Sequence, residues 1–182
     1  MDHDARPGMP QKVAKVAAEL NALEARGLIG RYAISGAVAF IYFTEPFDTS
    51  DLDLVVDLPV GPGGLISLTP LYTYLEDRGH RIEGEVVIIE GMPVQLLPVT
   101  SALMEEALTN ALPIQVGGIA ARVLDLEYLI AVALEVGRAK DLLKIRHALE
   151  TSRRPVDLAR LERLLQRHGL ESQWRRFGGH DG

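Results

Sequence analysis

Apolar positions along the chain recur with two different periods, and the change between them marks out the elements. Val13, Val16, Ala17, Leu20 and Leu23 fall at helical spacing. Pro10 near the start and Gly27 just beyond the end punctuate that helix. Tyr32 to Ser35 reads as a short strand, Gly36 as a turn, and Ala37 to Phe43 as a mostly apolar helix. A loop at 45–50, broken by Pro46, leads into a buried strand over Leu52 to Val56. After the Gly61–Gly64 turn the pattern predicts a helix over 67–78, with Gly79 as its cap. Two apolar runs, 86–89 and 94–97, flank Glu90-Gly91-Met92-Pro93 and predict a hairpin. A short helix over 101–111 and a second hairpin over 114–123, around Gly117 and Gly118, follow. Beyond Val123 only the helical period remains, predicting helices at 126–136, 139–150, 156–168 and 171–177.

The predicted class is α+β. A mixed sheet with flanking helices occupies residues 10–124, and a helical section occupies 125–177. Polar tails at 1–9 and 178–182 are expected to be disordered. No internal repeat or low-complexity tract is present.

Composition narrows the chemistry. Cysteine is absent, which removes disulfides, thiolate metal sites and cysteine nucleophiles together. Aromatic residues make up 5% of the chain, so the core must be largely aliphatic. No apolar run approaches the roughly 18 residues of a membrane span, and Met1 to Gln11 is too polar for a signal peptide. The expectation is a cytoplasmic protein with no membrane partner. The formal net charge of −6 disfavours a general nucleic-acid binder. Arg and Lys nevertheless concentrate in 138–147 and 153–176, where a polyanion would find them.

Asp51 and Asp53 carry the clearest chemical signal. At i, i+2 on a strand their side chains share one face, about 7 Å apart at the Cα atoms. Carboxylates so close repel unless a cation lies between them, and Mg²⁺ held by one or two carboxylates plus phosphate oxygens suits the pair. Alone, the pattern is equally compatible with two surface acids at a solvated strand end. Ser35 and Gly36 alter the balance. A glycine at a strand-to-helix turn lets the backbone approach a phosphate, and the following helix offers free N–H groups.

The stretch YAISGAVAFIYFTEPFDTSDLDLVV (32–56) resembles the signature of the DNA polymerase β-like nucleotidyltransferase superfamily. That signature is a Gly-Gly or Gly-Ser turn, a helix, then Asp-X-Asp or Asp-X-Glu. Within the superfamily the resemblance is closest to AbiEii-like small bacterial nucleotidyltransferases, some of them toxins of toxin–antitoxin pairs. LEYLIAVALEVGRAKDLLKIRHAL (126–149) is similar to the helical segment with its Arg-X-Lys-Asp element.

The resemblance implies roles for individual residues. Ser35 and Gly36 would hold nucleotide phosphates. Asp51 and Asp53 would bind Mg²⁺. Lys140 would sit near the triphosphate, supported by Arg138 and Asp141. A nucleoside monophosphate would pass from a nucleoside triphosphate to an acceptor hydroxyl, on RNA or protein, and an antitoxin would be the partner in a toxin setting. Three positions depart from the pattern. Gln95 stands where a third carboxylate is expected, and glutamine cannot act as a general base, although it can orient a hydroxyl. Ala133 replaces a lysine, and Lys144 replaces the second Asp of the Lys-Asp-x-x-Asp element. The alternative is therefore a degenerate nucleotide-binding or protein-interaction module of the same fold.

Other candidates are weaker. The five histidines show no metal-ligand spacing. Ser35 has no His or Asp at a hydrolase spacing, and Gly61–Gly64 lacks the Lys-Ser/Thr of a P-loop. Lys144 and Arg146 read as a solvated face paired with Glu135 and Asp141, with a substrate contact as the alternative. Arg153, Arg154, Arg160, Arg163, Arg167, Arg175 and Arg176 read as a solvated helical surface, with docking of an RNA or acidic partner as the alternative. Trp174 and Phe177 are expected to cap the helical core.

Overall fold

The computed structural model describes residues 8–178. The predicted tails lie almost wholly outside that range, although Met9, expected in the first tail, already opens a helix. The elements run α1 (Met9–Ala25), β1 (Tyr32–Ser35), α2 (Gly36–Phe43), β2 (Leu52–Val56), α3 (Thr69–Asp77), β3 (Arg81–Glu83), β4 (Val86–Ile89), β5 (Met92–Pro98), α4 (Ala102–Thr109), β6 (Leu112–Val116), β7 (Ile119–Val123), α5 (Leu126–Val136), α6 (Ala139–Thr151), α7 (Leu158–Arg167) and α8 (Glu171–Phe177).

The strands form one seven-stranded mixed sheet in the order β3-β4-β5-β2-β1-β7-β6. β1 pairs antiparallel with β2, while β2–β5 and β1–β7 are parallel. Both hairpins form as expected, β4–β5 and β6–β7, each closed by two residues. The two central strands are the most buried. All four residues of β1 and all of β2 except Asp53 are buried. Burial on both faces fits their apolar content, broken only by Ser35 and Asp53, the two polar residues that face the site.

β3 has no counterpart in the sequence prediction. Its three residues are bounded by Arg81 and Glu83, both exposed, and only pairing with β4 makes it a strand. Charged residues on such an edge also discourage further strand addition.

α2 lies against β1 and β2, and α5 packs against α2, α4, α6 and α7. α5 is therefore central rather than peripheral, with nine of its residues buried from Leu126 to Leu134. Trp174 is buried and stacks on Phe177 with ring centroids 5.6 Å apart, as expected of a helical cap.

The expected solvated arginine surface is only partly so. Arg154 and Arg160 instead converge on Asp125 and on Glu127, whose side chain is 0% exposed. Arg154 donates to both Glu127 carboxylate oxygens at 2.8 and 2.9 Å, and the Asp157 N–H donates to Glu127 at 2.9 Å. Arg167 and His168 likewise join Glu106, which also accepts from the Tyr128 hydroxyl. Buried Asp125 and Glu127 thus take Arg154, from the loop after α6, and Arg160 of α7 as internal partners, because a buried carboxylate is tolerated only when paired and hydrogen-bonded. No helix among the described residues is long and apolar enough to cross a membrane.

Candidate active site

Three adjacent strands set the polar row of the site. Ser35 on β1 lies opposite Asp53 on β2, and Asp53 lies opposite Gln95 on β5. Residues in register on neighbouring strands share a face, so Ser35, Asp53 and Gln95 stand side by side.

Gly36 follows Ser35 with φ +57°, in the left-handed region that favours glycine. A Cβ there would lie 2.8 Å from both Cβ and Cγ of Asp53. Glycine thus serves the turn and the close passage of the Asp53 side chain at once.

Asp51 sits one residue before β2 and is exposed, and its Oδ1 accepts from Thr49 Oγ1 at 3.1 Å. Burial, and then the nearby Asp51 carboxylate, push the Asp53 carboxyl above its ordinary value; Lys144, Lys140 and Arg138 pull the other way. Among the described residues the Asp53 carboxylate has no side-chain hydrogen-bond partner and no ion pair, although its backbone lies in the sheet.

The second wall comes from the helices. Gly137 ends α5 in the left-handed conformation, and Arg138 then caps the start of α6. This turn brings Arg138, Asp141 and Lys144 onto the cleft. Asp141 is buried in the first turn of α6. Its Oδ2 accepts from Arg138 Nε at 2.6 Å and its Oδ1 from Lys144 Nζ at 3.2 Å. Burial alone would raise the Asp141 carboxyl, but these hydrogen bonds from Arg138 and Lys144 outweigh it and hold the group below its ordinary value.

A cleft of about 50 Å³ is lined at its polar pole by Ser35, Gly36, Asp53, Arg138, Asp141 and Lys144. Its other walls are apolar, from Phe40, Leu97, Leu129, Val132, Ala133 and Val136. That volume holds a few water-sized groups, so a nucleotide bound here would extend into the open mouth.

Most of the residues singled out in the sequence come together. Ser35, Gly36, Asp53, Arg138 and Asp141 line the cleft, as does Ala133; Gln95 adjoins Asp53 in register. Lys140 is exposed and does not line it. Lys144, expected on a solvated face, is the opposite case. Its side chain is 14% exposed and faces the cleft. Glu135, its other expected partner, instead accepts from Ser101 Oγ at 2.9 Å. The i, i+3 spacing of Arg138, Asp141 and Lys144 was the available signal, since it puts all three on one helical face. Among the described residues, other acids near this sheet supply no third carboxylate to the cleft: Glu90 pairs with Lys15 at 2.7 Å, and neither Glu83 nor Glu85 lines the cleft.

Among the described residues no group of three or more His, Asp or Glu side chains is arranged to hold a metal ion by itself. Asp51 and Asp53 still fit Mg²⁺, which typically takes one or two carboxylates and completes its shell with water and substrate phosphate. The lone, unpaired Asp53 carboxylate is the donor such an ion needs.

No family model and no curated protein matches the sequence. Solved structures do match the fold. The solution structure of the antibiotic-resistance factor ANT(2'')-Ia aligns with TM-score 0.54 and 17% identity, covering 94% of this chain and 98% of that one. The crystal structure of ANT(2'')-Ia in complex with adenylyl-2''-tobramycin gives 0.53 and 16%, covering 89% and 98%. An antigenic nucleotidyltransferase-like protein from Paracoccidioides brasiliensis gives 0.52 and 14%, covering 91% and 93%. The chain therefore has the fold of the nucleotidyltransferases.

Proposed function

We propose that the protein is a Mg²⁺-dependent nucleotidyltransferase that moves a nucleoside monophosphate from a nucleoside triphosphate to an acceptor hydroxyl. One observation carries this reading: an unpaired carboxylate, a glycine turn opening a helix, and two cations converge on a single cleft. Asp51 and Asp53 would hold the metal, whose chemistry is to neutralise charge developing on the reacting phosphate. The Ser35–Gly36 turn and the start of α2 direct backbone N–H groups at phosphate oxygens. Arg138 and Lys144 add positive charge across the cleft.

The acceptor oxygen bonds to the α-phosphorus, the bond from that phosphorus to the β-bridging oxygen breaks, and pyrophosphate departs with the electron pair. The acceptor proton passes to solvent, because Gln95 has no basic group to receive it. The acceptor class we favour is RNA or protein, which rests on the resemblance of residues 32–56 to toxin-like nucleotidyltransferases, with an antitoxin as the partner in that setting.

Gln95 beside Asp53 favours a second reading, a nucleotide-binding module that has lost turnover. The test uses the full chain with each of the four labelled ribonucleoside triphosphates, Mg²⁺, and RNA or protein acceptors. Pyrophosphate release or a labelled acceptor is expected, falling at least about 100-fold in Asp53→Asn. Binding without turnover supports the module. Absence of any nucleotide-dependent rise in melting temperature overturns both readings, because a ligand of the native state must stabilise it.

A further inference from the structure

Three cations on or next to α6 act on Asp53, namely Arg138, Lys140 and Lys144, and they are not equivalent. Lys140 points to solvent, whereas Lys144 lines the cleft with most of its side chain covered. An ammonium has three donors. Among the described residues the Lys144 amine has one partner, Asp141. Asp141 is itself already bound by Arg138, so it fixes the lysine without neutralising the pair of cations. Across the cleft, Asp53 has no ion pair with Lys144. A carboxylate lacking a cation and an ammonium with donors to spare thus face one space without touching. A metal-bound phosphate would satisfy both at once, with Asp53 to hold the metal and Lys144 to meet a phosphate oxygen.

We propose that Lys144, oriented by Asp141, grips the pyrophosphate portion of the nucleoside triphosphate and stabilises it as it leaves, and that Lys140 does not fill this role. The inference rests on the nucleotidyl-transfer reading and assigns the residue that holds the leaving group. Lys144 is then a gain at the site, offsetting the neutral Ala133 and Gln95.

The test titrates the full chain with inorganic pyrophosphate and with ATP, GTP, CTP and UTP, each with Mg²⁺, by calorimetry. Lys144→Gln should weaken pyrophosphate and triphosphate binding about 10- to 100-fold, the range for loss of a charge-assisted hydrogen bond. Nucleoside monophosphates should be affected less than threefold. Lys144→Arg should recover part of the loss. Arg146→Gln, which removes an equal charge from an exposed position on the same helix, controls for net charge and should change binding less than twofold. Protection of lysines from acetylation in the unsubstituted protein needs no variant to fold. Pyrophosphate should shield Lys144 and leave Lys140 reactive.

Wild-type binding with no loss in Lys144→Gln, an equal or larger loss in Lys140→Gln, or no shielding of Lys144 overturns this assignment and leaves the nucleotidyl-transfer reading standing. Failure of the wild type to bind any triphosphate overturns both.

Discussion

Replacing Gly36 by alanine tests the tightest contact in the site. Two costs add. Alanine at φ +57° adopts a left-handed conformation worth about 1–2 kcal/mol. Its Cβ meets Asp53 Cβ and Cγ at 2.8 Å, closer than packed atoms tolerate, and overpacking of this kind costs about 1–3 kcal/mol. Gly36→Ala should therefore destabilise the fold by about 2–5 kcal/mol, lowering Tm by about 4–20 °C for a chain of this size. Urea unfolding followed by circular dichroism measures it directly. A double-mutant cycle separates the two costs. Asp53→Ala removes Cγ and the carboxylate oxygens while keeping Cβ, so Gly36→Ala should cost at least about 1 kcal/mol less in that background. The backbone cost should remain. Additivity within about 0.5 kcal/mol would refute the claim that glycine is required here by the Asp53 side chain.

Asp53→Asn should stabilise the ligand-free protein at neutral pH while destroying turnover. Burial and Asp51 raise the Asp53 carboxyl, so its folded form is penalised once ionised, and stability falls as pH rises through the raised value. The gain from asparagine should accordingly fade as pH is lowered to about the ordinary 3.8, and a pH-independent difference between the two proteins would contradict this. Glu127 titrates with the opposite sign. Burial opposes its ionisation, but hydrogen bonds from Arg154 and the Asp157 backbone outweigh burial and lower its value below 4.5. Its contribution is present above 4.5 and lost as pH falls through the lowered value, so Glu127→Ala should flatten the acid limb of the stability curve. The same variant should cost about 1–3 kcal/mol at neutral pH, since it removes one of the two carboxylates that Arg154 and Arg160 share, leaving them Asp125, and takes the acceptor from the Asp157 N–H; a loss below about 0.5 kcal/mol would mark Glu127 as dispensable. Chelation of Mg²⁺ with EDTA should abolish turnover, and excess Mg²⁺ should restore it; full activity in EDTA would remove Asp51 and Asp53 from the role of metal ligands.

The sequence was most informative where local chemistry and tertiary role coincide. Ser35, Gly36 and Asp53 stood out because a buried strand, a left-handed turn and an acid inside an apolar run each leave a mark on the local pattern. Helix periods located α1 and α5 to α8, and Gly-centred turns located both hairpins. The short strand β3 left no such mark, because three residues with charged ends become a strand only by pairing with β4.

The same limit explains Lys144 and the arginines. Sequence determined that Lys144 shares a helical face with Arg138 and Asp141, and that Arg154 and Arg160 are cationic. It did not determine what those faces meet. Packing of α6 against α2 and α5 decided that Lys144 looks into the cleft, and the placement of α7 and the loop before it against α5 decided that Arg160 and Arg154 serve buried acids rather than solvent. Periodicity is a property of neighbours along the chain, whereas the partner of a charge is set by residues far apart in sequence.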